Sequence, residues 1–160
     1  MNANTPNSRR DSRSNHPDEI YSETAATLQP TNMTYDVRYV RRSDYIHAIV
    51  TGKNSRENFL RYTDDVLGEC QRTQCRRILI EDKLAGPRMS EFEIFLVVTE
   101  ASRRSLGFYD ALAFVDEQIG EARYFAETVA VNRGIPIAVI QDVAQAEQWL
   151  LSPDPSARHE

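Results

Sequence analysis

Two apolar runs that end in acidic residues constrain the fold more than any other feature of this chain. They are Arg77–Asp82 and Ala111–Asp116, and each is continuous rather than alternating. Such runs are typical of strands that are covered on both faces, as in parallel sheets. Between and after them, apolar residues recur at helical spacing. Strands that alternate with helices need right-handed crossovers, so the sequence predicts a mostly parallel sheet with helices on one or both faces.

A β-hairpin is predicted ahead of this parallel part. Polar and apolar residues alternate over Tyr35–Val40, and a second strand-like segment covers Tyr45–Thr51. The short polar stretch Arg42–Asp44 separates them and is typical of a turn. Gly52 is expected to end the hairpin.

The complete prediction is an α/β fold of order β-β-α-β-α-β-α-β-α, with a mixed, mostly parallel five-stranded sheet and four helices. Capping patterns, in which Asn, Ser or Asp precedes an apolar periodic segment, mark several helix starts. The predicted strands cover 35–40, 45–51, 77–82, 111–116 and 137–140, the predicted helices 54–71, 90–104, 121–132 and 142–150, and a loop covers 84–89.

The ends of the chain differ in composition from its middle. Residues 1–33 are rich in Asn, Ser, Thr, Pro and Arg and have little aliphatic content. Such a segment buries too little apolar surface to offset its ordering entropy, so we expect it to be disordered. Residues 152–160 are predicted to form a short flexible tail, which leaves 34–151 as the folded domain. The chain has no apolar run of membrane-spanning length and starts with no apolar signal, so we expect a cytoplasmic protein.

Charge and motif content disfavour several classes of protein. The net charge is -5, and basic residues occur at most in pairs, so nucleic acid is not an expected partner. Cys70 and Cys75 form no C-x-x-C pair and have no histidine nearby in sequence, so we expect no metal. The glycine-rich phosphate-binding and dinucleotide-binding motifs and the G-x-S-x-G hydrolase motif do not occur, so we expect no cofactor and no catalytic activity.

Several short strings resemble the STAS domain, the fold of bacterial anti-sigma-factor antagonists. They are Ile78–Asp82, Ala113–Asp116, Val129–Gly134 and Ala146–Leu150. The pattern looks closest to divergent bacterial STAS-like proteins that are related to the lipid-binding CRAL-TRIO group. The resemblance implies a non-catalytic regulatory module in a bacterial cytosol, with an unknown protein as its partner. The alternative that it implies is a domain that binds a small molecule or lipid.

The resemblance also implies a candidate phosphorylation site at Ser90. In anti-sigma-factor antagonists, a phosphorylatable serine begins the helix that follows the central strand, within the pattern Asp-Ser-x-Gly. This chain has Met89-Ser90-Glu91-Phe92 at that place, without the aspartate or the glycine. The helix dipole would favour a phosphate there, whereas Glu91 and Glu93 would oppose it. The alternative, which the Ser-x-x-Glu spacing favours, is that Ser90 is a helix N-cap.

Other polar residues form a candidate surface for a ligand or partner. Glu81, Asp82 and Asp116 are expected at the carboxyl ends of two strands, the edge where ligands bind in open α/β sheets. They could bind a cation or act as acid and base. The alternative, which we favour because we expect no histidine or nucleophile to accompany them, is that one caps a loop and another pairs with Lys83 or Arg88.

Arg133, His47 and one apolar helix complete the set of candidates. Arg133 is expected either to interact with the carboxyl end of a helix or to bind a ligand. His47, on a strand, is expected to be partly buried and hydrogen-bonded. The helix that carries Phe92, Phe95, Leu96, Val98 and Thr99 is apolar around much of its circumference, which favours a buried position. The alternative is that its surplus apolar side chains line a ligand cavity or a groove for a partner.

Overall fold

The computed structural model describes residues 34–155, which form one sheet and its flanking helices. The strands are β1 Tyr35–Arg41, β2 Ile46–Lys53, β3 Arg77–Ala85, β4 Ala111–Val115 and β5 Ile137–Ile140. The helices are α1 Arg56–Thr73, α2 Glu91–Ser105, α3 Ala122–Val131 and α4 Val143–Leu150. The predictions for residues 1–33 and 156–160 lie outside the described residues.

The sheet has the strand order β1-β2-β3-β4-β5, with each strand beside its neighbour in sequence. The β1–β2 pair is antiparallel, and the three following pairs are parallel. This confirms the predicted mixed, mostly parallel five-stranded sheet with four helices. Each crossover from β2 onward moves one strand in the same direction, so right-handed connections place α1, α2 and α3 on one face of the sheet.

The fourth helix covers part of the opposite face. Trp149 and Leu150 on α4 pack against Leu79 and against smaller side chains of the central strands, such as Ala113. On the three-helix face, residues such as Ile78 and Tyr62 form the larger core. Because α4 contacts β3, β4 and β5, it leaves the adjoining part of that face, on β1 and β2, without a helix.

Gly52 allows β1 and β2 to approach closely at the open end of the hairpin. Its φ is +128°, and a Cβ added there would lie 2.1 Å from the carbonyl oxygen of Thr34. Backbone cannot yield as a flexible side chain does, so only glycine fits at this position. The pairing of β1 with β2 reaches its end at Gly52, as expected. Strand β2 itself continues by one residue to Lys53, which pairs with Ala85 of β3.

The same pairing lengthens β3 beyond the predicted boundary. The prediction ended this strand at Asp82 and placed a loop over 84–89, whereas β3 continues to Ala85. Leu84 is buried in the core, which the assignment to a loop missed. Glu81 and Asp82 are therefore neighbours inside a strand, and their side chains point to opposite faces of the sheet.

The expectation that the apolar side of α2 is buried proves wrong for three residues. Phe92 is 69% exposed, and Phe95 and Leu96 are each 38% exposed. The closest neighbours of α2 are α1 and α3, so its outer side is not covered by any described element. A second apolar stripe, which includes Ile94, Val97, Val98 and Ala101, faces inward. The sequence pattern did not distinguish a helix that is buried all round from one with two apolar sides.

Candidate functional site

The candidate site lies at the carboxyl edge of the sheet, where the β3–α2 loop crosses the end of β4. Asn54 anchors this loop, because its side-chain amide donates to the carbonyl of Pro87 at 2.7 Å. The backbone N–H of Asn54 also donates to the carbonyl oxygen of Ala85 at 2.8 Å. Gly86 takes a φ of +116°, which lets the chain turn sharply after β3. Arg88 and Ser90 are positioned by this loop.

Asp82 is held on the three-helix side by two donors. The hydroxyl of Tyr62, a fully buried residue of α1, donates to one carboxylate oxygen at 2.6 Å. The backbone N–H of Leu84 donates to the other oxygen at 2.9 Å. Burial raises the pKa of Asp82, although these two hydrogen bonds oppose the rise. Tyr62 carried no sequence signal for this role, because only the packing of α1 on β3 brings it to the carboxylate.

Asp116 and Arg88 form an ion pair beside Asp82. The guanidinium of Arg88 bonds to one carboxylate oxygen of Asp116. The other oxygen accepts a hydrogen bond of 2.9 Å from the backbone N–H of Gln118. Asp116 is buried, whereas the side chain of Arg88 is 41% exposed. Asp116 therefore both orders the turn after β4 and holds the β3–α2 loop through Arg88.

Glu81 does not belong to this group, which corrects the expectation that three carboxylates share one edge. It faces the other side of β3, where its carboxylate lies 2.8 Å from Nε2 of His47 and 3.0 Å from Nζ of Lys83. The expectation that no histidine accompanies the carboxylates is also wrong, since β2 and β3 bring His47 and Glu81 together. The parallel register of β2 and β3, in which Ile49 pairs with Glu81, brings His47 and Glu81 to the same face of the sheet. This register cannot be read from the sequence.

Ser90 forms a complete capping box with Glu93. Its hydroxyl oxygen accepts from the backbone N–H of Glu93 at 3.3 Å, and Glu93 accepts from the N–H of Ser90 at 2.8 Å. The hydroxyl of Ser90 also donates to the Glu93 carboxylate at 3.0 Å. Hydrogen bonds from Ser90 hold the pKa of Glu93 below its usual value. A phosphate on Ser90 would meet this carboxylate and lose the cap.

Arg133 follows the carboxyl end of α3. Its guanidinium donates to the carbonyl of Val129 at 2.9 Å and lies 5.0 Å from the centre of the Phe95 ring. Gly134, with a φ of +80°, lets the chain leave the helix. Arg133 therefore contacts α3 and α2, and the structure does not bring it to the Asp82 and Asp116 pair.

A cavity lies between α2 and the sheet. Its volume is about 210 Å³. Apolar side chains from α1, α2, α3 and the strands line most of it, including Phe59, Val97, Ala101 and Phe114. Asp82, Arg88 and Asp116 also line the cavity, and so does the ion pair of Arg104 with Asp64. The arrangement is an apolar space with charged groups at the carboxyl edge of the sheet.

The described residues offer no metal centre and no membrane span. Within residues 34–155, no group of three or more His, Cys, Asp or Glu side chains is placed to hold a metal ion. Among the helices of the same region, none combines the length and apolar character that crossing a bilayer requires.

Comparisons with known proteins give a likeness to solved structures and no match by sequence. No protein-family model and no curated protein matches the chain. Among solved structures, the chain is similar to a variant of the RsbS protein from Moorella thermoacetica, with 18% sequence identity and a TM-score of 0.43. The match covers 71% of this chain and 93% of that chain. The α/β architecture itself follows from the strand order and pairing described above.

Proposed function

We propose that this chain is a non-catalytic regulatory module that binds another protein through the outer face of α2. The observation that carries the proposal is the exposed stripe of Phe92, Phe95 and Leu96, at positions i, i+3 and i+4 of one helix. Side chains at this spacing lie on one face. Contiguous exposed apolar residues mark interaction sites more often than isolated ones do. The STAS resemblance of the sequence, which implies a regulatory role in a bacterial cytosol, agrees with this proposal.

The state of the polar side chains supports a role without catalysis. The carboxylates of Asp82, Asp116 and Glu81 each accept a hydrogen bond from a neighbouring residue or form an ion pair with one. These contacts stabilise the loops and strands that carry the three carboxylates. This is the structural role that the sequence favours for them. Burial raises the pKa of the Cys70 thiol to about 12, so it is not an activated nucleophile at neutral pH.

Site-specific cross-linking tests whether α2 is the docking face. A photo-reactive amino acid at position 92 in the full chain should cross-link to one protein in the host cell. The same group at Gln148, which is exposed on α4 on the opposite face, is the matched control. The captured protein should then bind the purified chain, and Phe92→Ser and Leu96→Ser together should weaken that binding at least about tenfold.

Two results would contradict the proposal. One is a partner that cross-links equally from positions 92 and 148, and the other is binding that the double serine variant leaves unchanged. Because both residues are exposed, their replacement should shift stability by no more than about 0.5 kcal/mol each. Unfolding in urea checks that lost binding is not lost folding.

A small-molecule site is the second candidate function, and the cavity beneath α2 favours it. At about 210 Å³ the cavity is smaller than the roughly 300 Å³ of most drug-sized sites. It is larger than an engineered cavity of about 150 Å³ that binds benzene. We therefore propose that its ligand class is a compact, mostly apolar molecule with one polar group, and not a long-chain lipid.

Phenol is a suitable probe for this site. Titration followed by amide NMR should give saturable shifts at Val97 and Ala101, which line the cavity. Ala101→Phe should abolish them, because the added ring fills the space. Leu151→Phe, at an exposed position outside the cavity, is the control. Shifts that fail to saturate, or that persist in Ala101→Phe, would exclude the site.

A further inference from the structure

The outer edge of β1 is open among the described residues. β1 is the first strand of the sheet order, so within residues 34–155 it pairs with β2 alone. It runs for seven residues and pairs with β2 without a bulge. Natural edge strands are usually protected by proline, charged side chains, a bulge or a short length. β1 has no proline and no bulge, its charged residues carry both signs, and its Tyr and Val residues favour extended structure.

The hydrogen bonds of the hairpin show which backbone groups of β1 face outward. The backbone N–H of Lys53 donates to the carbonyl oxygen of Thr34 at 2.7 Å, and the backbone N–H of Arg42 donates to the carbonyl oxygen of Tyr45 at 2.9 Å. Residues of an antiparallel strand alternate between bonding to one neighbour and to the other. The even-numbered residues of β1 therefore bond to β2. The N–H and C=O groups of residues 35, 37, 39 and 41 point away from it.

We propose that β1 pairs antiparallel with β1 of a second copy of this chain, with the two-fold axis at Val37. This register places Val37 opposite Val37 of the second copy, and Tyr35 opposite Tyr39 of the second copy. The outward-facing backbone N–H and C=O groups of the two strands therefore bond to each other. In this register Asp36 of each copy lies opposite Arg38 of the other copy, so the dimer contains two such pairs. Both side chains are exposed, and neither forms an ion pair within the described residues. The product is one continuous sheet of ten strands.

Charge selects this register over its neighbour. Moving the axis to Arg38 keeps the outward-facing groups in pairing positions but sets Arg38 opposite Arg38. Like charges directly opposite each other in a sheet are destabilising, whereas opposite charges stabilise the pair. Val37 and Tyr39 are half-buried on the three-helix face, so the second copy also covers their remaining apolar surface.

Charge reversal tests the register in the full chain. Sedimentation at tens of micromolar and low salt should give a dimer of the unsubstituted protein. Asp36→Arg replaces both attractions with repulsions and should raise the dimer dissociation constant about tenfold or more. Arg38→Asp should do the same. The double variant Asp36→Arg with Arg38→Asp restores both pairs and should restore the dimer, which separates the charge effect from misfolding.

Disulfide trapping gives an independent measurement. Residue 36 and residue 38 of the second copy form a non-hydrogen-bonded pair with Cα atoms about 4.5 Å apart, within disulfide range. Copies of the same residue lie about 8 Å apart, beyond that range. An oxidised mixture of Asp36→Cys and Arg38→Cys should therefore cross-link, and neither variant should do so alone. The unsubstituted chain controls for Cys70 and Cys75.

Three outcomes would overturn the proposal. The first is a monomer at all concentrations up to several hundred micromolar. The second is a dimer that Asp36→Arg leaves unchanged. The third is equal cross-linking of the single cysteine variants and of their mixture, which would place a different register or surface at the interface.

Discussion

At the scale of single residues, the contact between His47 and Glu81 shows how neighbouring strands create a buried hydrogen-bonded pair. Both residues are buried on the side of β2 and β3 that α4 leaves partly uncovered. Burial lowers the pKa of His47, even though the hydrogen bond and the charge of Glu81 favour its protonated form. Arg42 and Arg38 lower the pKa further. The histidine is therefore held mainly neutral in the folded chain at neutral pH.

Stability is expected to decrease below the ordinary histidine pKa of 6.5. Because the folded-state pKa is lower than that value, the unfolded chain binds the proton first as the pH falls. The stabilising contribution is thus complete above pH 6.5 and is lost as the pH falls through the folded pKa. His47→Gln should flatten this part of the profile and change stability at pH 7 by about 1.5 kcal/mol or less.

Urea unfolding at a series of pH values measures this effect. The difference between the unsubstituted chain and His47→Gln is the quantity of interest, because contributions from carboxylates such as Asp82 are common to both. A difference that stays constant from pH 8 to pH 5 would show that His47 does not titrate differently in the two states.

At the scale of elements, α2 depends on its cap more than its neighbours do. Helices gain most of their stability from packing an apolar face. The inward face of α2 borders a cavity, and its outward face carries exposed Phe92 and Leu96. The capping box of Ser90 and Glu93 therefore supplies a larger share of what holds this helix in place.

Ser90→Ala should destabilise the chain by about 1 kcal/mol, the usual cost of removing a serine N-cap. Ser55→Ala is the matched control, because Ser55 caps α1 with a hydrogen bond to the N–H of Asn58. We expect hydrogen exchange to accelerate across α2 in Ser90→Ala and across α1 in Ser55→Ala. Faster exchange in α1 from the Ser90 change would show that the two helices unfold together.

At the scale of the whole molecule, α4 covers part of one side of the sheet through the tryptophan that it carries. Trp149 is 1% exposed and packs with Leu79, Ala113 and Val115 beneath it. Alanine and valine at two of these positions leave room for the indole, which covers part of the face opposite the three crossover helices. Its Nε1 has no hydrogen-bond partner within the described residues. The contribution of Trp149 is therefore one of volume and apolar area.

Trp149→Ala should lower the free energy of unfolding by about 3–5 kcal/mol, because it removes this area and leaves a cavity. Trp149→Phe should cost clearly less, since it keeps most of the volume and removes an unpaired N–H. Far-ultraviolet circular dichroism in urea measures both variants. Equal losses in the two variants would show that the indole nitrogen has a partner that stabilises it.

The order of strands and helices follows from the sequence because it depends on local periodicity and on the handedness of the chain. The runs around Ile80 and Phe114, the hairpin and the caps at Ser90 and Asp142 are all local patterns. The site depends on pairing register and on which side of a helix meets a neighbour. Neither is a local property, so the separation of Glu81 from Asp82, the contact with His47 and the exposure of Phe92 appear only in the folded chain.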